Sequence, residues 1–381
     1  VWNGAYSELM IAMPLFMLAG ELMNTGGIAQ KLIDFAKILV GRIPGGLAQT
    51  NILGNTLFGS LSGSSVAASV AIGGVLIPME EKEGYDKKFA AAVNIASAPT
   101  GLIIPPSGIL IIYPVLAGCS VVGMIMSGYI PGLMWALACM VVAYVIAKKN
   151  HYPTAGKVPA SVFFKYFVDA IPSLLLIVII VGGVMSGIFT ATESAAVAVA
   201  YTLFLSIVVY RSIKIKDLPK ILLDACETTA IIMFLIAGSN VMSFVMSFTG
   251  LPSAIGNALI SVSSNKYVIL LIINLVLLVV GCFMDITPAV LIFTPIFLPV
   301  VQSFGMDPIH FGIMMVMNLG IGNITPPVGS ALFSGCSVAD MDMEDMIKPI
   351  LPFYAAIFVA LMLVAYVPWF SMALPTLFGA V

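Results

Sequence analysis

The chain has 381 residues, of which 60% are hydrophobic and only 9% charged, with a net charge of −2 and a mean hydropathy of +1.11. Soluble domains carry about 25% charged residues, so this composition excludes a soluble enzyme and calls for a lipid bilayer. The near-neutral balance offers nothing to nucleic acid. Continuous apolar runs, in place of short alternating segments, exclude a transmembrane β-barrel.

In chain order, the sequence opens "VWNGAYSEL" without a Met, and a preceding helix is expected. Glu21 and Asn24, in "LAGELMNTGG", take no assignable role. Two apolar arms then flank a polar tip, "GSLSGSS" at 59–65, and the second arm carries Pro78. "EEKEGYDKK" at 80–88 mixes both signs and reads as a solvated turn. A helix is predicted to start near Asp86, break at "GLIIPPSGI" (101–109) and resume, because Pro removes a backbone donor and both Pro and Gly disfavour helix.

Runs at 123–147, 171–189 and 194–210 follow, each near the ~20 residues that cross ~30 Å of hydrocarbon. One basic loop holds Lys148, Lys149, Lys157 and Lys165; a second holds Arg211, Lys214, Lys216 and Lys220. Two spans separate these loops, so both can face the cytoplasm. Glu193 fits a capping box with Thr190. Trp135 and Trp369 suit interfacial anchoring or packing equally. Beyond 266 come an apolar arm, the tip "FMDITP" (283–288), a second arm with Pro299, a turn at Gly305, a helix near Asp307 and a break at "GNITPPVGS" (322–330). The last run is 350–367. His310 reads as hydrogen-bonded packing. The five cysteines show no metal-ligand spacing and read as small apolar residues.

Sliding the chain 221 residues along itself superposes Pro78 on Pro299, Gly84 on Gly305, Asp86 on Asp307, Gly101 on Gly322 and Pro105-Pro106 on Pro326-Pro327. "GCSV" at 118–121 recurs at 335–338 after a four-residue gap. Two repeats are therefore expected, each with a polar tip between apolar arms and a broken helix. The tips belong either to re-entrant hairpins or to pairs of full spans; 267–283 is long enough for both. Irregular backbone at membrane depth is tolerated only inside protein or beside a watery cavity. Broken helices in matching repeats mark a secondary-transporter site near the bilayer midplane.

Asp285 leads the candidate residues: between 228 and 306 only it and Lys266 are charged, and an intramembrane carboxylate is a functional hypothesis by default. Its structural alternative is an N-cap for the "TPAVLIF" arm. Ser62, Gly63, Ser64 and Ser65 form the matching tip, with Ser64 superposed on Asp285; small-residue packing is their alternative. Thr100 and Gly101 precede one break, and Gly322, Asn323 and Thr325 flank the other. Together with Thr287 these supply the hydroxyl, carbonyl and carboxylate oxygens that a hard cation selects, and Na+ is the ion expected. Half-helix N-termini favour an anion, so a substrate carboxylate is expected near Pro106, Ser107, Pro327, Ser330, Ser64 and Thr287. No GxxxxGK[ST] phosphate loop and no GxSxG elbow is present, and no enzyme is expected.

These motifs, in this order, resemble the large membrane subunit of the tripartite ATP-independent periplasmic (TRAP) transporters. The matching stretches include "PLFMLAGELMNTGGI", "GSLSGSSVAASVAIGGVLIPMEEKEGYDKKFAAAV", "IIPPSGILIIYPVLAGCS", "GIFTATESAAVAVAY", "FMDITPAVLIFTPIFLPV", "DPIHFGIMMVMNLGIGNITPPVGSALF" and "PWFSMALP". Ala68 departs from the pattern, since family members often carry an acidic residue there. The resemblance implies an all-α polytopic protein of inverted repeats, with two helical hairpins, two broken helices and an elevator-type mechanism. It implies scaffold helices in 1–44, a first transport-domain repeat in 45–121, scaffold and arms in 122–265, a second repeat in 266–338 and a C-terminal scaffold helix in 339–381. The implied protein is a sodium-coupled importer of an organic acid (a C4-dicarboxylate, sialic acid or another sugar acid) in the bacterial inner membrane. Its implied partners are a small four-helix membrane subunit and a periplasmic substrate-binding protein. Two other functions stand beside this one: a partner-independent Na+-coupled anion symporter or Na+/H+ exchanger of related design, and an intramembrane enzyme or assembly scaffold.

Overall fold

The computed structural model of the chain describes residues 11–154, 160–250, 254, 255, 258, 261–263 and 265–380. Residues 1–10 of the expected N-terminal segment, and Lys157 of the first basic loop, lie outside them. The described residues form helices and connecting turns, without strands.

Helices α1 (Ala12–Thr25) and α2 (Ile28–Val40) lead into a hairpin of α3 (Gly46–Ser62) and α4 (Ser65–Lys82). The hairpin turns because Gly63 takes φ 63°, a left-handed conformation that glycine adopts without a Cβ penalty. Ser64 then starts α4 as its N-cap, accepting the Ala67 N–H at 3.2 Å. The first broken helix comprises α5 (Lys87–Ser97), a single turn α6 (Thr100–Ile103), irregular backbone to Gly108, and α7 (Ile109–Ala117). Next come α8 (Val121–Ser127), α9 (Tyr129–Lys149), α10 (Ala160–Met185), α11 (Ala191–Phe204) and α12 (Leu218–Thr249).

A second hairpin, α13 (Lys266–Phe283) and α14 (Ile286–Ser303), turns at Met284 and Asp285. The second broken helix is α15 (Pro308–Asn323) and α16 (Ser330–Val338). Helices α17 (Met343–Tyr366) and α18 (Trp369–Leu377) close the chain. Among the described residues seven helical segments are long and apolar enough to cross a membrane: 121–149, 162–185, 192–209, 215–246, 266–283, 286–303 and 343–366.

The expected repeat is present in atomic detail. Asp86 and Asp307 cap α5 and α15 identically, each accepting a backbone N–H two residues on at 2.8 Å. Each broken helix crosses the first arm of its own hairpin at a glycine pair, Gly59 with Gly101 and Gly281 with Gly322. The repeats run in opposite directions. Tyr113, near the end of the first broken helix, donates to Pro308 O at the start of the second, at 2.6 Å. Lys88, at the start of the first, pairs at 2.5 Å with Asp345, just past the end of the second. In keeping with that antiparallel exchange, α4 packs on α16 while α14 packs on α7.

Helix α5 and the single turn α6 lead from the base of the first hairpin to the break at 104–108, which lies against the tip of that hairpin at Gly63. The hairpin's base joins the end of α9: Tyr85 donates to Pro153 O at 2.9 Å and stacks on Tyr152 with ring centroids 4.5 Å apart. That base shares a side with Lys148 and Lys149, the cytoplasmic side by the distribution of basic residues.

Around this core, α9 and α17 pack on α5, and α17 also on α15, while α1, α2, α10, α11 and α12 form a connected layer through the pairs α1–α11, α1–α12, α10–α11 and α2–α10. Thr190 and Glu193 complete the capping box of α11. His310 is buried and its Nε2 bonds Val364 O at 2.8 Å. Trp135 is fully buried, donating to Ala96 O at 2.8 Å, whereas Trp369 is exposed. The solvated-turn reading of 80–88 needs correction. Helix α4 continues to Lys82, so Glu80 falls on the buried face with Leu76 and Ile77, and Tyr85 is buried as well.

Candidate functional site

The candidate residues gather in two lobes, each a hairpin tip laid against a break. In the first lobe, Gly63 sits so close to Pro106 O, Ser107 Cα and Gly108 N that an added Cβ would lie 3.4 Å from each. The hydroxyls of Ser62 and Ser107 are buried there without a hydrogen-bond partner. Buried polar groups are almost always satisfied, so two orphaned hydroxyls beside free backbone suit a small oxygen-seeking ligand. Thr100 turns its hydroxyl to Ser97 O at 2.7 Å, and Gly101 serves the crossing with Gly59. Ser64 is spent in part on its cap.

In the second lobe, Val328 N donates to Cys282 O at 3.1 Å, tying the break to the arm below the tip. Asp285 occupies the N-cap position of α14 without a side-chain cap bond. Its exposed carboxylate instead accepts the Ser330 hydroxyl at 3.1 Å, across 45 residues of sequence. The same hydroxyl, with one proton to give, also faces Asn323 Oδ1 and serves one of these two acceptors at a time; Asn323 Oδ1 accepts the Ala331 N–H at 3.1 Å. Thr325 bonds Ile321 O at 2.6 Å. Thr287 is half-buried, and Pro327 is exposed.

One contact joins the lobes. Asn323 Nδ2 donates to Ser65 Oγ at 2.8 Å, across 258 residues, with both side chains buried. Asp285, Ser330, Asn323 and Ser65 thus form a continuous polar chain from the second tip, through the second break, to the first tip. A groove of about 810 Å³ runs between α4 and α16, with Val66, Pro327, Ser330, Phe333 and Ser334 among its walls. Pro106 lines a separate, apolar crevice with Phe16 and Pro105, so the structure does not bring it to the groove with Pro327 and Ser330.

Chemically, the donor set is hydroxyl, amide, carbonyl and one carboxylate. Among the described residues no three His, Cys, Asp or Glu side chains come together. Hydroxyl and carbonyl oxygens around one carboxylate fit a hard monovalent cation better than a transition metal. Asp285 also stands beside the first turn of α16, where the helix dipole would hold an anion. A cation there would neutralise the carboxylate and leave the helix end to an anion.

Several site-forming residues escaped the sequence reading. Gly59 and Gly281 are invisible until their partners are known, although Gly281 follows Gly59 by nearly the repeat shift. The amides that bind each first arm to its broken helix were also missed: Asn55 donates to Asn94 Oδ1 at 3.0 Å and Ser97 Oγ at 2.9 Å, and Asn318 donates to Asn274 Oδ1 at 2.7 Å. Ser97 and Asn318 are 221 residues apart, so the repeat shift itself carried the signal.

Comparison with known proteins places these features in context. The family model described as "Tripartite ATP-independent periplasmic transporter, DctM component" matches residues 1–370. The chain is 52% identical over 371 residues to an uncharacterized protein, YgiK, of Salmonella typhimurium, covering 97% of this chain and 85% of that one. It is 39% identical over 370 residues to the C4-dicarboxylate TRAP transporter large permease protein DctM of Pseudomonas aeruginosa, covering 97% and 87%. Among solved structures, that of the YdaH transporter of Alcanivorax borkumensis is similar with a TM-score of 0.61 at 12% identity, over 96% of this chain and 85% of that one. That last likeness concerns the fold alone.

Proposed function

This chain belongs to the tripartite ATP-independent periplasmic transporters as their DctM component, a large permease of the inner membrane and not an enzyme, and from that premise we propose that it imports an organic acid by coupling to Na+. The observation that carries the reading is the polar chain Asp285–Ser330–Asn323–Ser65, which makes one site out of both repeats. Na+ is held by Asp285, Thr287 and the backbone around Gly322, Asn323 and Thr325 in one lobe. In the other it is held by Ser62, Gly63, Ser64, Ser65, Thr100 and Gly101. The substrate carboxylate sits between, at the starts of α7 and α16, near Ser64, Ser107 and Ser330, where helix dipoles stabilise negative charge. Ion binding precedes substrate, because Asp285 repels an acid until a cation neutralises it.

Energy favours this coupling. Each elementary charge crossing 100 mV gains about 2.3 kcal/mol. Two Na+ with a monoanion, or three with a dianion, carry one net charge inward and accumulate substrate without ATP. The two hairpins and two broken helices move as a body against the layer of α1, α2, α10, α11 and α12. Helices α9 and α17 pack on α5 and α15, and we infer that they travel with that body. The partners are a small four-helix membrane subunit and a periplasmic binding protein that delivers the acid. The Pseudomonas relative carries C4-dicarboxylate in its name; the substrate here is an organic acid of that general class.

Reconstitution in proteoliposomes tests the reading. Uptake of the acid is expected only with the loaded binding protein outside and Na+ directed inward. Equal uptake with K+ replacing Na+ would remove the coupling; uptake of free acid without the binding protein would make the chain a partner-independent symporter.

A further inference from the structure

Beneath the first hairpin tip, Glu80 on α4 and Asn51 on α3 are both 0% exposed. The Asn51 amide is the hydrogen-bonding side chain beside the Glu80 carboxyl, and the Glu80 oxygens and the Asn51 Nδ2 have no partner besides each other. We propose that Glu80 and Asn51 form a proton-binding site at the base of this hairpin, occupied in the conformation described here.

Charge around the site favours the proton. Neither of the ion pairs Lys31–Asp169 and Lys88–Asp345 includes Glu80. Helix α2 brings Lys31, committed to Asp169, Asp34, which accepts from Gln30, and Lys37; α5 brings Lys87 and Lys88. Helix α16 brings only Cys336, and α3 and α6 bring no titratable group. Along its own chain, Glu81 and Lys82 are exposed, and Glu83 adds a like charge. The Tyr85 phenol is pushed up to about 12, chiefly by burial, and stays neutral.

A carboxylate buried beside one amide donor and no counter-ion is costlier than the neutral acid. The acid also complements the amide: its carbonyl accepts from Asn51 Nδ2, and its O–H donates to an oxygen lone pair. Asn51 Oδ1 keeps one lone pair after accepting from Asn55 at 2.9 Å. Asn55 continues through Asn94 and Ser97 to the first broken helix, so the proton sits at one end of a polar chain that leads toward the first lobe. The base lies on the side of Lys148 and Lys149, where water has access whenever the hairpin loosens.

Infrared difference spectroscopy of the purified full-length permease reads the proton directly, without reference to transport. A protonated-carboxyl C=O band is expected at pH 7 in the wild type and absent in Glu80→Gln and Glu80→Met, with Asn51→Leu shifting its frequency. Identical spectra in the wild type and both Glu80 variants would overturn the proposal. So would a Glu80→Gln protein that fails to fold, since that isostere keeps both the shape and the neutrality of the protonated acid.

Discussion

The glycine crossings offer the most direct test of the repeat geometry. A Cβ added to Gly101 would stand 2.4 Å from Gly59 Cα and 2.5 Å from its carbonyl carbon; on Gly322 it would stand 2.5 Å from both Gly281 Cα and its carbonyl carbon. Ordinary carbon contacts lie at about 3.5 Å or more, so alanine must widen either crossing by about 1 Å. The atoms in the way are backbone, and no flexible side chain can yield. Forced expansion of a packed interior costs about 1–3 kcal/mol, against which helix propensity returns at most about 1 kcal/mol. Gly101→Ala and Gly322→Ala should therefore lower the apparent melting temperature by a few degrees, at roughly 2 °C per kcal/mol for a chain this long. Sodium-dependent uptake should fall further, because the tip and break that hold the ion are parted; each ~1.4 kcal/mol lost from ion binding weakens it tenfold. Gly74→Ala is the control. Its Cβ would meet only Val338 Cγ1 at 3.9 Å, so it should be neutral or stabilising by about 0.5–1 kcal/mol. Measured at one scan rate, a Gly101→Ala protein that melts with the wild type and carries wild-type uptake would refute the crossing.

Other variants probe the site itself. Asn323→Ala strands the buried Ser65 hydroxyl and the Ala331 N–H, and at about 1–3 kcal/mol per unsatisfied group it should destabilise measurably in thermal unfolding, whereas loss of uptake with unchanged stability would contradict the latch. Asp285→Asn and Ser64→Ala should each weaken Na+-dependent uptake in proteoliposomes while leaving the fold intact; unchanged sodium dependence in both removes them from the site. Na+, and not K+, should raise the melting temperature of the purified permease, with a stabilisation of about 2.7 kcal/mol when the ion is at 100 times its dissociation constant. Trp135→Phe leaves the Ala96 carbonyl without its 2.8 Å donor and should cost about 1 kcal/mol, seen as a small drop in melting temperature with uptake preserved.

How much of this could be read beforehand follows from what each feature depends on. The breaks were legible because Pro-Pro and Gly act locally: Pro105-Pro106 and Pro326-Pro327 interrupt a helix whatever surrounds them, and a shared 221-residue shift made them a pair. Asp86 and Asp307 were legible as helix starts for the same local reason. The hairpin was not, since two apolar arms about a polar tip fit a re-entrant hairpin and a pair of full spans alike. Close approaches are equally hidden, because Gly59 matters only once α6 lies across it.

Glu80 shows a different failure. A run of mixed charge suggested solvent, but charge density averages over residues that a helix sends in different directions. Glu80 lies three and four residues beyond Ile77 and Leu76, on one face with both, while Glu81 and Glu83 point outward. Periodicity should therefore outrank composition wherever a charged stretch continues an apolar helical stripe. The same rule separates Asp285 from its neighbours: it stands beyond the last turn of α13, where no stripe claims it, and its side chain is free to take the Ser330 hydroxyl within its own repeat. A carboxylate that neither caps its helix nor follows its buried face is held by something else, and for Asp285 that partner is the Ser330 hydroxyl at the start of α16.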